Sequence, residues 1–482
     1  MRRLRRSIGI GVALSFLLLG APTDGAGADT PVQDAPAPPA EQAPARRPAV
    51  EPTGRSASAN AMRSGRLQCG DRITRSTTLT ADVGPCAADG IIIGADNIML
   101  NLNGHTISGT PGIGDGNVAG IRIPFKTGVR VTGLPGKSGK TGTVTGFDAG
   151  VFVNGGSGNT VENLVISDNV GPAGDALLSD GIVLFHSGNN RLLNNVVVRN
   201  GPFDGIGVLG SDSNDNLIQG NTVEETVGVP AQNTGGIITG AGAGEGTGIL
   251  LNNFLDEQGT PRRGEPIRNN QVIDNIVRRN QNSGISNVTH VLGRIEGNIV
   301  EDNGAAGERC ETVMDRFTGE QRTICGLLAA FPSNGIGVTK GPGSTGLAAN
   351  GVTRMLITGN RVTGNTGDGI AIGGFRSFTQ VSENRIISNV ATGNGGSTNN
   401  SRYDLHDYSQ GEGRSGPTCH NNVWQDNVFN TAFPLCATGG LGSVEGPPDD
   451  PTCTDGRDND LDGAADGDDS DCVRPPVFEG PR

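Results

Sequence analysis

Large aromatic rings are scarce in this chain: of its 482 residues one is Trp and two are Tyr, and aromatics together make up 4%. That excludes a core built round big rings and leaves few platforms on which a sugar could stack. Basic charge is short as well, for the net charge is −13 and no run of Lys or Arg longer than a pair occurs after the first six residues. A surface of that sign repels nucleic acid and anionic lipid, which removes both as partners. Long apolar segments are missing past Leu19, so no later stretch could span a bilayer. What the chain has instead is Gly, 79 in all, and a short unit said many times over.

The unit is plainest near the C-terminal end. Ile357-Thr-Gly-Asn360-Arg-Val362-Thr-Gly-Asn365 is answered by Val381-Ser-Glu-Asn384-Arg-Ile386-Ile-Ser-Asn389, with Gly369-Ile-Ala-Ile372 between the copies. A repeat this short cannot bury a hydrophobic face by itself, so it reads as one coil of a solenoid. Gly-apolar-x-apolar recurs at Gly120, Gly150, Gly181, Gly205, Gly248, Gly335 and Gly369, and the Asn element at Asn195, Asn221, Asn275, Asn298, Asn360 and Asn384. The alternation puts apolar side chains inside a narrow tube. Asn or Gly at each corner is expected to take the left-handed backbone conformation, and Asn amides at equivalent corners to hydrogen-bond along the stack. Trp424 and Phe429 fall on the inward positions of the last coil and are expected to plug its end. Three stretches break the rhythm, 224–268, 304–353 and 391–417, and long loops on a rigid scaffold are where function commonly sits.

The termini read differently. Residues 1–28 combine a basic start, the apolar run Ile8 to Leu19 and Ala26-Gly27-Ala28, the features of a secretory signal peptide. Residues 29–66 form a Pro- and Ala-rich leader with nothing to bury. Eight cysteines fall into four close pairs, Cys69 with Cys86, Cys310 with Cys325, Cys419 with Cys436 and Cys453 with Cys472. Even number, local pairing and export favour sequential disulfides in a secreted or extracellular bacterial protein, the cell surface being one place for it. The first and third pairs are candidates for the end caps that a stack of strands requires.

Leu67-Gln-Cys69, Cys86 and Leu100-Asn-Leu102-Asn-Gly104-His105-Thr-Ile107 together resemble the opening coil of secreted right-handed parallel β-helix proteins, the pectin-lyase-like group. The resemblance covers residues 67–440 and implies an all-β fold, a single-stranded right-handed parallel β-helix solenoid. It implies a carbohydrate-directed role, with a polysaccharide or cell-envelope component as partner and a monomeric state, and leaves the activity open.

Two places could carry chemistry. Asp458, Asp460, Asp462, Gly463 and Asp469, closed by Cys453 and Cys472 in the tail 441–482, have the spacing of a twelve-residue Ca²⁺ loop with Asp in place of the final Glu. The carbonyl of Ala464 and the side chain of Asp466 would complete the shell; an acidic solvated tail is the alternative. Asp404-Leu405-His406-Asp407, flanked by Tyr403 and Tyr408, offers a base, carboxylates and a phenol for removing and returning the C5 proton of a uronate. It partly resembles the DPHD motif of β-helix alginate epimerases, with Leu405 in place of Pro. Capping of the solenoid end is the other reading of this cluster, and a non-catalytic extracellular scaffold is the other reading of the whole chain. Asp180, Asp204 and Asp368 each precede the Gly of a coil and read as corner residues. His105, His186, His290 and His420 are scattered and read as structural.

Overall fold

The computed structural model describes residues 66–439 apart from 111–116, 135–138, 172–177, 229–232, 235–236, 239–245, 253–265, 289, 305–307, 315–320, 328–333, 340–352, 374–380, 396–402, 408–418 and 420. These belong to the second of the two units into which the chain divides, Asn60–Arg482. The expected signal peptide, the leader up to residue 65 and the tail with Cys453 and Cys472 lie outside the described residues.

The chain coils through three parallel sheets of 12, 11 and 11 strands, here called A, B and C. One turn of the coil runs from Ile182–Phe185 in sheet A to Arg191–Leu193 in B and Val196–Val198 in C, and Asp204–Leu209 then returns to A beside its starting strand. Register keeps like on like. On sheet A, Ile91, Ile121, Val151, Ile182, Ile206, Ile249, Ile285, Ile336, Ile370 and Leu405 form one unbroken inward row, each fully buried. β-Branched side chains suit this row because identical shapes repeat at the strand spacing of about 4.8 Å and pack without gaps. Trp424 and Phe429 are buried in the final coil, as their positions in the repeat predict.

The corners are held by asparagine. Between sheets B and C, Asn195, Asn221, Asn275, Asn298, Asn360, Asn389 and Asn427 lie one above another. From Asn221 onward each amide oxygen accepts both the backbone N–H and the side-chain N–H of the Asn in the preceding coil, at 2.9–3.0 Å. Each of these Asn also donates Nδ2 to a carbonyl of an earlier strand, Asn298 to Val272 for instance. Similar ladders run along the other two corners. The expectation that Asn or Gly at the corners is left-handed holds at Asn194, Gly220, Gly297 and Gly359 but not at the ladder positions themselves. The ladder Asn residues are not left-handed; the residue before each one is, as at Asn194, Gly220, Asp274, Gly297, Gly359, Ser388 and Asp426.

Two ladders contain substitutions. At the A–B corner Asn159, Asn190, Asn216 and Asn270 give way to His290, whose Nε2 accepts the Asn270 N–H at 3.1 Å while Nδ1 lies 2.9 Å from Asn287 Oδ1. The next coil uses Met355, whose sulfur accepts the Gly293 N–H. At the C–A corner Thr226 stands between Asn200 and Asn280.

Disulfides join Cys69 to Cys86 and Cys419 to Cys436, closing the first and last coils, with Cα atoms 5.4 Å and 5.7 Å apart. The excursion after residue 304 is an antiparallel hairpin, Glu308–Met314 against Gln321–Leu327, in which Cys310 stands opposite Cys325. The side chains of that pair lie outside the described residues. Among the described residues no helix is long and apolar enough to cross a membrane.

The ladders can be tested at two rungs. Asn298→Ala leaves the Asn275 N–H and the Val272 carbonyl unpaired in the interior, and should lower the unfolding free energy by about 3 kcal/mol, whereas exposed Gln271→Ala should change it by under about 0.5 kcal/mol; urea titration compares them. Burial holds His290 well below its ordinary value, at about 3, so the folded ring stays neutral where the unfolded ring takes up a proton. This group should therefore cost about 1.4 kcal/mol of stability for each pH unit of acidification from about 6.5 down to about 3. His290→Asn, which rebuilds the ladder without a titrating group, should flatten that slope in melting curves taken across the same range.

Candidate functional site

Sheet A differs from its neighbours in what surrounds it. From Glu162 onward each corner from sheet B to sheet C holds just two residues, as between Leu193 and Val196 or Thr358 and Arg361. The extra residues of the chain after this point all enter or leave sheet A, as between Ser167 and Ile182, Glu224 and Thr247, Glu301 and Ile336, or Asp407 and Val423. Its outward row runs Phe152, Val183, Gly207, Leu250, Ser286, Gly337, Ala371, His406, Phe433. Val183, Ala371 and His406 in this row are buried, whereas Val423 and Val428, outward on sheets B and C, are 44% and 52% exposed. The insertion-bearing, shielded face is therefore that of sheet A.

Near its C-terminal end this row carries the sequence-predicted cluster, which strand geometry takes apart. Successive side chains of a strand face opposite ways, so in Leu405–Asp407 His406 faces out while Asp407 continues the inward row that runs through Val338 and Ile372. Asp407 Oδ2 accepts the Trp424 Nε1–H at 3.0 Å and an Asn422 amide N–H at 3.1 Å, ending the A–B ladder inside the tube. Asp404 ends the C–A ladder. Its Oδ1 accepts the backbone and side-chain N–H groups of Asn394 at 2.9 Å, and its Oδ2 accepts the N–H groups of Asn430 and Thr431 at 3.0 and 3.1 Å. Both carboxylates thus occupy the positions that a further Asn would take.

His406 has a different carboxylate. Its Nδ1 lies 3.1 Å from Oδ1 of Asp368, and both side chains are buried. The same oxygen accepts the Tyr403 N–H at 2.8 Å, while the Asp368 N–H is donated to Asn334 Oδ1, so the acid is fixed from two sides. In the tautomer with Nδ1–H directed at this carboxylate, the ring lone pair is on Nε2. Around the ring, Tyr403 meets His406 edge-on with centroids 4.9 Å apart, Phe433 meets it edge-on at 5.6 Å, and Tyr403 and Phe433 stack at 5.3 Å. Burial, with the Asp368 charge adding to it, raises the Tyr403 phenol above its ordinary value and keeps it protonated. The structure thus brings together Tyr403, His406 and Asp368, and leaves Asp404 and Asp407 to the ladders.

Asp368 and Phe433 were not singled out as site residues by the sequence. The signal for Asp368 was present as Asp before the Gly of a coil, and Asp180 shows what that position does. Asp180 Oδ1 accepts the Asp204 N–H at 3.1 Å, and the same oxygen lies 3.2 Å from where a Cβ on Gly207 would stand. Asp180, Asp204 and Gly207 are thus the counterparts of Asp368, Tyr403 and His406, with no side chain where the His would be. Burial raises the Asp180 carboxyl to about 7 although Ser179 and Asp204 both donate to it. Elsewhere, His105 and Asp82 form a surface contact, His290 belongs to the ladder and His420 lies outside the described residues. No cluster of three or more metal-ligating side chains occurs among the described residues; Asp458, Asp460, Asp462, Ala464, Asp466 and Asp469 lie outside them.

The family model of the right-handed β-helix region matches residues 86–254. The fold is a right-handed parallel β-helix. Similar solved structures include a mutant of the periplasmic alginate epimerase AlgG, at 12% identity over 67% of this chain and 68% of that one, with a TM-score of 0.37. The catalytic domain of a GH87 α-1,3-glucanase in complex with tetrasaccharides is 12% identical over 78% of this β-helix chain and 60% of its own, at TM-score 0.40. Pectate lyase Pel9A is 14% identical over 82% and 78%, at TM-score 0.33. No curated protein sequence matches the chain.

Proposed function

We propose that this β-helix protein is directed at an acidic polysaccharide and that its site is the outward face of sheet A around His406. The reading rests on one observation above others, the His406–Asp368 hydrogen bond on the face that receives the insertions. In the finer form of the proposal, His406 Nε2 removes the proton at C5 of a uronate. The electron pair passes into the adjacent carboxylate system, and the Tyr403 phenol supplies a proton in return. Delivery to the opposite face of C5 gives an epimer; delivery to the departing glycosidic oxygen at C4 gives chain cleavage with a C4–C5 double bond. Asp368 is the positioning residue that fixes the ring and offsets the charge it gains.

A second reading has its own support. Asp404 and Asp407 are consumed by the ladders, which leaves one imidazole and one phenol as the proton-transfer groups and makes a non-catalytic binding scaffold the alternative. Export belongs to both readings, supported by the N-terminal sequence and by the closed disulfides, and a monomeric state is part of both as an expectation. Calcium in the tail, on Asp458, Asp460, Asp462, Ala464, Asp466 and Asp469, belongs to both as well, supported by the spacing of those residues.

Offered a panel of acidic polysaccharides, the chain should raise the absorbance of unsaturated uronate or exchange H5 for deuterium by NMR. His406→Ala should lower the rate by a factor of roughly 10² to 10⁴. No change in any polymer would leave the scaffold reading. For the tail, calorimetric titration of the full chain with Ca²⁺ should give a binding isotherm that Asp460→Asn with Asp462→Asn abolishes; a featureless titration of the unaltered chain removes calcium from the account.

A further inference from the structure

The last two coils carry a patch unlike the rest of this acidic protein. On sheet B, Arg385 stands in register with Val423; on sheet C, Arg361 stands in register with Val390, and Val390 with Val428. Val390, Val423 and Val428 are 40%, 44% and 52% exposed. Both arginines are exposed, and neither has an ion pair among the described residues, although Arg130 and Arg294 on sheet B and Arg278 on sheet C are each matched by a Glu; Arg191 on sheet B is likewise unmatched, but its register neighbour Leu217 is half-buried. Glu383, two residues from Arg385, is taken up by Arg354, and Asp426 is half-buried in the corner between the two sheets. Exposed valines on the two sheets flanking this corner, beside two unmatched cations, form a surface that water solvates poorly and that an acidic, partly apolar partner would fit.

The described chain ends beside this patch. Gly439 lies against the Trp424 carbonyl and the Gln425 nitrogen, so closely that a Cβ there would clash with them. Gly439 thus lies beside the strand Val423–Gln425, whose first residue is one of the valines. Residues 440–482 contain ten Asp and two Glu against three Arg, together with Leu441, Val444, Leu461, Val473, Val477 and Phe478. Arg385 is one strand from the exit, about 5 Å, and Arg361 is two strands back on sheet C across the corner; an extended chain reaches both within about six residues. We infer that residues 440–482 fold back over the B–C corner of the last coils, their carboxylates on Arg361 and Arg385 and their apolar residues on Val390, Val423 and Val428. The inference stands apart from the His406 site, which lies on another sheet.

Hydroxyl-radical footprinting tests it on the full chain and on a chain ended after Gly439. Ending the chain should raise the oxidation of Val390, Val423 and Val428 several-fold and leave Val196, exposed on sheet C in a distant coil, unchanged. In the full-length chain, Arg361→Glu with Arg385→Glu should raise oxidation at the same valines without any truncation, as should high salt. Equal oxidation in the full chain, the shortened chain and the double variant would overturn the inference. So would protection that persists after shortening and grows with protein concentration, which would give the patch to a second copy of the chain.

Discussion

The constraint on which the rest depends is the need to pair every polar group at three corners of a narrow tube. A strand stack satisfies its own backbone through the sheets, but at each corner the chain turns and N–H groups face inward with no strand to meet them. An Asn side chain is the size of one missing peptide, with an acceptor for the coil before and a donor for a carbonyl behind. Repeating it in register converts separate turns into a continuous column of hydrogen bonds, as from Asn195 to Asn427. A single Asn buried alone would cost more than it returned; in a column each neighbour supplies what it lacks.

That constraint explains how far the sequence could be read. The Asn and Gly-apolar-x-apolar spacings reveal the coil because both elements must recur once per turn, and Cys69–Cys86 and Cys419–Cys436 are legible because each pair closes a single coil. Left-handed Gly and Asn at the corners were legible, but which corner Asn is left-handed was not, since the sequence alone does not say that the ladder Asn commits its side chain inward. His290 looked like one of several stray histidines. Only its neighbours in the column, brought close from other coils, show that it takes the place of an Asn.

The site was less legible because it is assembled across coils. Asp368 and His406 are 38 residues apart, and their contact depends on the register of two strands and the length of the insertion between them. Nor does the repeat reveal which side of the tube matters. Sheets A, B and C have similar inward residues, and the distinction arises from where the insertions fall. From Glu162 onward the corners between B and C hold two residues each, while the corners flanking sheet A carry the insertions.

The terminal coil shows why a motif read along the chain can be chemically misleading even when its residues are well chosen. A ladder of amides needs an acceptor at its last rung, and there the side chain is no longer required to donate onward. Asp meets that need better than Asn, which accounts for Asp404 at one ladder and Asp407 at another. Between them the strand's period of two turns His406 to the opposite face, toward an Asp contributed by the preceding coil. Adjacent residues in sequence thus serve different ends, two closing the fold and one facing outward. The residues around His406 are therefore constrained by stability on the inner side and by chemistry on the outer side, and a substitution at each position reports on just one of these.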